Sequence, residues 1–174
     1  MTGPVFVDAN VFLYALDRDE VRKRPLARAW LEYLWREALG RTSIQVLSEY
    51  YVNLTRKGAS KRAAEGAWED VRMYLSWNPR EIDEEVFLRA RENEQRYRIS
   101  WWDSLVVAAA QLQDCALLLT EDLQDGAVLG SVTVRSPFTL EIGEAGAQYA
   151  IPEAPSRHRG RGRPRRPATA PPVR

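Results

Sequence analysis

Carboxylates are costly beside a buried core, yet this chain sets them repeatedly at the edges of apolar runs. Asp8 directly follows Val5-Phe6-Val7, Asp103 stands just ahead of LVVAAA, and Asp122 comes shortly after ALLLT. Glu49 lies in the early turns of another periodic segment, VLSEYYVNL. If the fold gathers these acids into one cleft, their mutual repulsion calls for a divalent cation. Mg²⁺ and Mn²⁺ suit such a site, since they prefer oxygen ligands, keep several waters and bind through a few carboxylates together with phosphate oxygens. Beside a phosphodiester, such an ion activates water and neutralises charge on the leaving oxygen. Each acid alone has a plainer reading, because Asp is a favoured helix N-cap and a common turn residue. The joint placement is what favours hydrolytic chemistry on phosphodiesters over incidental capping.

The elements that would position these acids follow from local pattern. VFVDAN reads as a strand buried on both faces and ending at Asp8, with VFLYAL as a short helix after it. PLARAWLEYLWREALG reads as a helix with Pro in its first turn and Gly40 as its stop. TSIQ is a candidate short strand leading into the helix VLSEYYVNLTRKG, with Gly58 at its end. Between 60 and 77, Trp68, Val71, Tyr74 and Leu75 fall on one helical face, and DEEVFLRARENEQRYR has acids first and bases last, as the helix dipole favours. A helix begins near Ser100 to Asp103, ALLLT is a buried strand, EDLQDG a polar turn, and SVTVRSP a final alternating strand stopped by Pro137. The alternation of strands and helices predicts an α/β fold with a mainly parallel sheet. In such sheets functional groups collect beyond the carboxyl ends of the strands, where these acids would lie.

With 174 residues, 45% of them hydrophobic, the chain can build one core but not two. The sequence shows no signal-peptide pattern and no apolar run of membrane-spanning length, so the expectation is a cytoplasmic protein without a membrane partner. Cys115, the single cysteine, sits in CALLL and reads as a small buried thiol. Charge is divided unevenly: residues 157–174 hold seven of the 25 Lys and Arg and none of the 24 Asp and Glu. The body is therefore mildly acidic and the tail strongly basic, an asymmetry that points to nucleic acid or another polyanion.

In its ordered motifs the chain resembles the PIN domain, especially the VapC-type toxin ribonucleases. The motifs are VFVDANVFLYAL, then LSEYYVNL with its central Glu, then SWWDSLVVAAAQLQDCALLLTEDLQDG, and the resemblance covers roughly residues 4–138. It implies a three-layer α/β/α domain over residues 1–140 and a metal-dependent endoribonuclease using Mg²⁺ or Mn²⁺ on RNA. Carried over by position, it implies catalytic and metal-holding roles for Asp8, Glu49, Asp103 and Asp122. Asp125 is a possible additional acid, with Asp122 favoured because it follows the strand more directly. Asn10 matches a position where a side-chain amide orients a carboxylate or water, and Ser104 and Thr120 flank the acids as further hydrogen-bond donors. The resemblance also implies a small antitoxin partner and a homodimer.

Two other functions compete. One is a PIN-fold regulator that binds nucleic acid without cleaving it. The other is an α/β phosphatase of the haloacid-dehalogenase type, which wants a second Asp two residues after the first, where this chain has Asn10. Histidine chemistry is disfavoured, because the lone histidine, His158, lies in the arginine tail. Trp101 and Trp102, being adjacent, face different ways, so at least one is assigned to the core and base stacking is the lesser alternative. The Trp30, Tyr33, Leu34 and Tyr50, Tyr51, Leu54 sets read as core or dimer surface.

Residues 141–174 read as a disordered basic tail, since Gly, Pro and Arg replace the apolar pattern. Its RGRP, Arg161 to Pro164, resembles the core of an AT-hook, in which arginines enter a narrow minor groove. The plainer alternative is nonspecific phosphate contact by Arg159, Arg161, Arg163, Arg165 and Arg166 with DNA or RNA.

Overall fold

The computed structural model describes residues 3–56 and 61–144. Gly58, His158 and the tail arginines lie outside that range. Strand β1 (Val5–Val7) leads into α1 (Ala9–Leu16) and α2 (Lys23–Arg36), and β2 (Gly40–Arg41) into α3 (Ile44–Leu54), α4 (Lys61–Tyr74), α5 (Glu84–Tyr97) and α6 (Trp101–Gln111). The chain then runs through β3 (Leu117–Leu119), β4 (Val128–Leu129) and β5 (Val132–Arg135). The sheet order is β2-β1-β3-β5-β4. All neighbours are parallel except β4 and β5, which pair antiparallel.

The apolar runs dictate the centre of this sheet. Successive strand residues point to opposite faces, and all three residues of β1 and of β3 are at most 1% exposed. Both faces of the two central strands are therefore covered, as a parallel sheet flanked by helices requires. Helix α6 is apolar nearly all round for the same reason. Val106, Val107, Ala109 and Ala110 join the main core, while Leu105 and Ala108 pack on Val86 and Ala90 of α5. Cys115 is buried, and its thiol is pushed up to about 12 by that burial. Among the described residues no helix is long and apolar enough to cross a membrane.

Local expectations fail in four places. Gly40 does not stop α2. That helix ends at Arg36, with Ala38 left-handed at φ 56° and the Leu39 N–H donating to the Leu34 carbonyl, while Gly40 opens β2. Glycine is required there for a different reason: a Cβ would lie 2.5 Å from the Trp77 ring. TSIQ is not a strand. Ser43 caps α3 instead, its hydroxyl accepting from Val46 N–H, and Ile44 and Gln45 are helical. On α4, Val71 and Tyr74 are buried as expected, but Trp68 and, just beyond the helix, Leu75 are exposed; Trp68 rests edge-on against Tyr51. Strand β4 has no counterpart in the sequence pattern, because two residues carry no periodic signal.

Trp30, Leu34 and Tyr50 are core, with the Trp30 indole N–H donating to the Pro137 carbonyl at 3.0 Å. Phe12, Trp35, Tyr50, Tyr74 and Trp77 form an aromatic cluster with neighbouring centroids 4.5 to 6.5 Å apart. This cluster locks α1, α2, α3 and α4 together at the flank of β2.

Candidate metal centre

Four segments deliver acids to one cavity. It has a volume of about 330 Å³ and is lined by Asp8, Gln45, Glu49, Trp102, Asp103, Val106 and Asp122. Because β1 and β3 are adjacent and parallel, their carboxyl ends coincide, and the Asp8 N–H extends the pairing by donating to the Leu119 carbonyl. Sheet register brings the two strand ends together, and the turn after β3 sets Asp122 beside Asp8. Asp103 comes from the first turn of α6 and Glu49 from the second turn of α3.

Asp8 is the buried member, 6% exposed. Its Oδ1 accepts from the Ala9 N–H at 2.7 Å, so it does cap α1, and its Oδ2 accepts from the Thr120 hydroxyl at 2.7 Å. These bonds do not offset the loss of water. Burial, helped by the charges of Asp122 and Glu49, pushes the Asp8 carboxyl up to about 7. Glu49 is raised as well, by desolvation first and then by Asp122 and Asp103, with Arg56 pulling weakly the other way.

Thr120 and Asn10 tie the two strand-end acids together. The Thr120 hydroxyl accepts from the Asp122 N–H at 3.1 Å, and the Asn10 amide nitrogen lies 2.9 Å from both Thr120 Oγ1 and Asp122 Oδ2 and 3.4 Å from Asp8 Oδ2. Ser104 plays no such part. It is fully buried, and its hydroxyl donates to the Ser100 carbonyl one turn back. Ser100 takes the role expected of Ser104: its hydroxyl donates to Asp103 Oδ2 at 2.6 Å while accepting from the Asp103 N–H. Ser100 thereby caps α6 and holds the Asp103 carboxylate with the same hydroxyl, and the Ser-x-x-Asp spacing is its sequence signal.

Asp125 lies outside the cavity. Desolvation works against its ionisation, but its Oδ1 accepts from the Ser136 N–H and Arg135 Nε and its Oδ2 from the Thr139 hydroxyl. Together these bonds outweigh the burial and hold its carboxyl below the usual range. Of the two tryptophans, Trp101 packs edge-on against Phe87 between α5 and α6. Trp102 is 66% exposed at the rim of the cavity.

Among the described residues no three His, Cys, Asp or Glu side chains stand as a ready-made ligand set. The carboxylates line the cavity rather than converge on a point. The donors nevertheless suit a hard cation. All are oxygens, two of the acids are raised in part by the charge of their neighbours, and Asn10 Oδ1 is buried without a hydrogen-bond partner. Asp8, Glu49, Asp103 and Asp122 could hold such an ion by moving closer, with Asn10 and Thr120 orienting the pair at the strand ends.

Comparison with known proteins agrees with this architecture. The structure of FitAB bound to a DNA fragment has a TM-score of 0.62 at 20% identity, covering 79% of this chain and 97% of that one. A toxin-antitoxin complex from Klebsiella pneumoniae has a TM-score of 0.56 at 22% identity, covering 76% and 97%. VapBC2 from Rickettsia felis, bound to a DNA fragment from its promoter, has 0.54 at 15% identity, covering 76% and 97%. No curated protein matches the sequence. The family model for the PIN domain matches residues 5–124, which span β1 to the turn after β3 and include all four acids of the cavity. The chain belongs to the PIN domain family.

Proposed function

We propose that this protein is a metal-dependent endoribonuclease that hydrolyses RNA phosphodiesters, and that it is the toxin of a toxin–antitoxin pair. The observation that carries the reading is the convergence of Asp8, Glu49, Asp103 and Asp122, from four separate segments, on one cavity at the carboxyl edge of the sheet. Membership of the PIN family and the likeness in fold to FitAB, the Klebsiella complex and VapBC2 support it.

In this reading the four carboxylates hold Mg²⁺ or Mn²⁺, which when bound supplies an activated water and screens charge on the scissile phosphate. The chain's own residues do the rest. Thr120 and the Ala9 N–H fix the Asp8 carboxylate, Ser100 fixes Asp103, and the Asn10 amide spans Asp8 and Asp122. The covered sheet behind Asp8 excludes water from that side of the site. An antitoxin and a second copy of the chain are the proposed protein partners, and the tail arginines add salt-sensitive affinity for nucleic acid.

The test incubates the full chain and its Asp103→Asn variant with a mixed RNA pool in Mn²⁺, Mg²⁺ or chelator. Cleavage by the native chain in metal alone, lost in the variant and in chelator, is the expected result. Cleavage that survives either change refutes the metal mechanism, and binding without any cleavage turns the reading into that of a regulator.

A further inference from the structure

The acid cavity leaves a problem for its own substrate. Among the described residues its lining, Asp8, Gln45, Glu49, Trp102, Asp103, Val106 and Asp122, holds no lysine or arginine, and Arg56 acts on Glu49 from outside that lining. Uncharged contacts next to the cleavage point can add to what such cations supply. A second groove, about 410 Å³ and within the size range of ligand pockets, opens directly beside it. It is lined by Ile44, Gln45, Ser48, Glu49, Val52, Ile82 and Trp102, so that Gln45, Glu49 and Trp102 belong to both spaces.

The groove is apolar where a surface should not be. Trp102 is 66% exposed, Val52 56%, Ile82 41% and Ile44 38%, four large apolar side chains gathered in one place from α3, α6 and the segment before α5. A contiguous apolar patch rimmed by polar groups marks a binding surface. Its geometry is held rather than incidental: the Gln45 amide donates to the Trp102 carbonyl at 3.3 Å, tying α3 to α6 at the border of the two spaces. An exposed indole offers a face to any base, and base–aromatic stacking serves single strands independently of sequence.

We infer that this groove is a subsite for one unpaired nucleobase of the RNA, stacked on Trp102 against Ile44, Val52 and Ile82, next to the phosphate held at the acid cavity. The inference rests on the ribonuclease reading for the neighbouring phosphate. A base engaged in a duplex cannot be splayed into the groove, so the subsite takes an unpaired base alone. Gln45, at the border, meets the edge of that base.

The experiment uses the full chain and short single-stranded RNAs in which one abasic nucleotide is walked along the strand. Cleavage is measured in Mn²⁺, and binding with the non-cleaving Asp103→Asn background. Trp102→Ala is expected to raise KM and weaken binding on the order of tenfold with a smaller change in kcat, and Trp102→Phe to recover most of it. One abasic position should weaken the native chain by a similar factor and weaken Trp102→Ala no further. Circular dichroism checks that the fold is retained, and Val52→Glu, on another wall of the groove, gives the same KM shift if Trp102→Ala does not fold. Unchanged RNA binding in both variants, or abasic penalties equal with and without Trp102, overturns the subsite and leaves the groove to some other partner, such as a peptide. Normal metal-dependent cleavage without that coupling removes the subsite alone. Coupled binding without cleavage removes the ribonuclease reading and keeps the subsite.

Discussion

Replacing Asp8 by Asn removes a charge that the metal-free fold tolerates poorly. The carboxylate is 6% exposed, sits against Asp122 and Glu49, and titrates near 7 rather than at its ordinary 3.8. A raised carboxyl means that the folded state holds its proton more tightly than the unfolded one. Stability linked to Asp8 is therefore fully present below pH about 4, declines between 4 and 7, and is absent above. A shift of about three units corresponds to roughly 4 kcal/mol. The amide oxygen of the substituted side chain can still accept from the Ala9 N–H, so the cap survives.

Urea unfolding in chelator, from pH 4 to pH 8, reads this directly. Asp8→Asn should match the native chain near pH 4 and exceed it at pH 8 by up to about 4 kcal/mol; Glu49, itself raised, weakens both proteins as pH rises and leaves the difference unchanged. Mn²⁺ at pH 8 should restore the native chain and leave the variant unchanged, since only the former keeps the full ligand set. Parallel stability profiles for the two proteins across this range would refute the claim that Asp8 is a destabilised, desolvated carboxylate.

Three further outcomes follow from packing and backbone. Gly40→Ala forces a methyl into the Trp77 ring and should cost about 1–3 kcal/mol in thermal or urea unfolding. Ala38→Gly relieves a left-handed residue at the end of α2 and should stabilise by about 0.5–1 kcal/mol in the same assay. Asp125→Asn loosens the bonds to Arg135 and Thr139 and should lower stability by about 1–2 kcal/mol without reducing RNA cleavage.

The parts of the fold legible in the sequence are those whose burial is total. Val5-Phe6-Val7 and Leu117-Leu118-Leu119 declare central parallel strands because every residue must be apolar, and the acids just beyond them mark the sheet edge. The edge strands Gly40–Arg41 and Val128–Leu129 are two residues each and carry no such demand. At TSIQ, β-branched residues suggest a strand, but the Ser43 cap decides the matter for helix. The four acids are found by position, whereas their supports are found only in part. Thr120 and Asn10 bond to one another across 110 residues, and no local pattern reports that contact. Ser104 flanks Asp103 in sequence but donates to the Ser100 carbonyl, whereas the hydroxyl on Asp103 is that of Ser100, whose capping spacing is visible in Ser100-Trp101-Trp102-Asp103. Between Asp122 and Asp125 the only local criterion is distance from the strand; the turn geometry puts the first in the cavity and binds the second to Arg135, Ser136 and Thr139.

The proposed activity is cleavage of RNA, with a bound cation, at the one cavity lined by Asp8, Glu49, Asp103 and Asp122. Its most direct test is Mn²⁺-dependent cleavage of a single-stranded RNA by the native chain, Asp122→Asn and Asp125→Asn side by side. Asp122→Asn is expected to lose cleavage while Asp125→Asn keeps it. Loss in Asp125→Asn with activity retained in Asp122→Asn would contradict it.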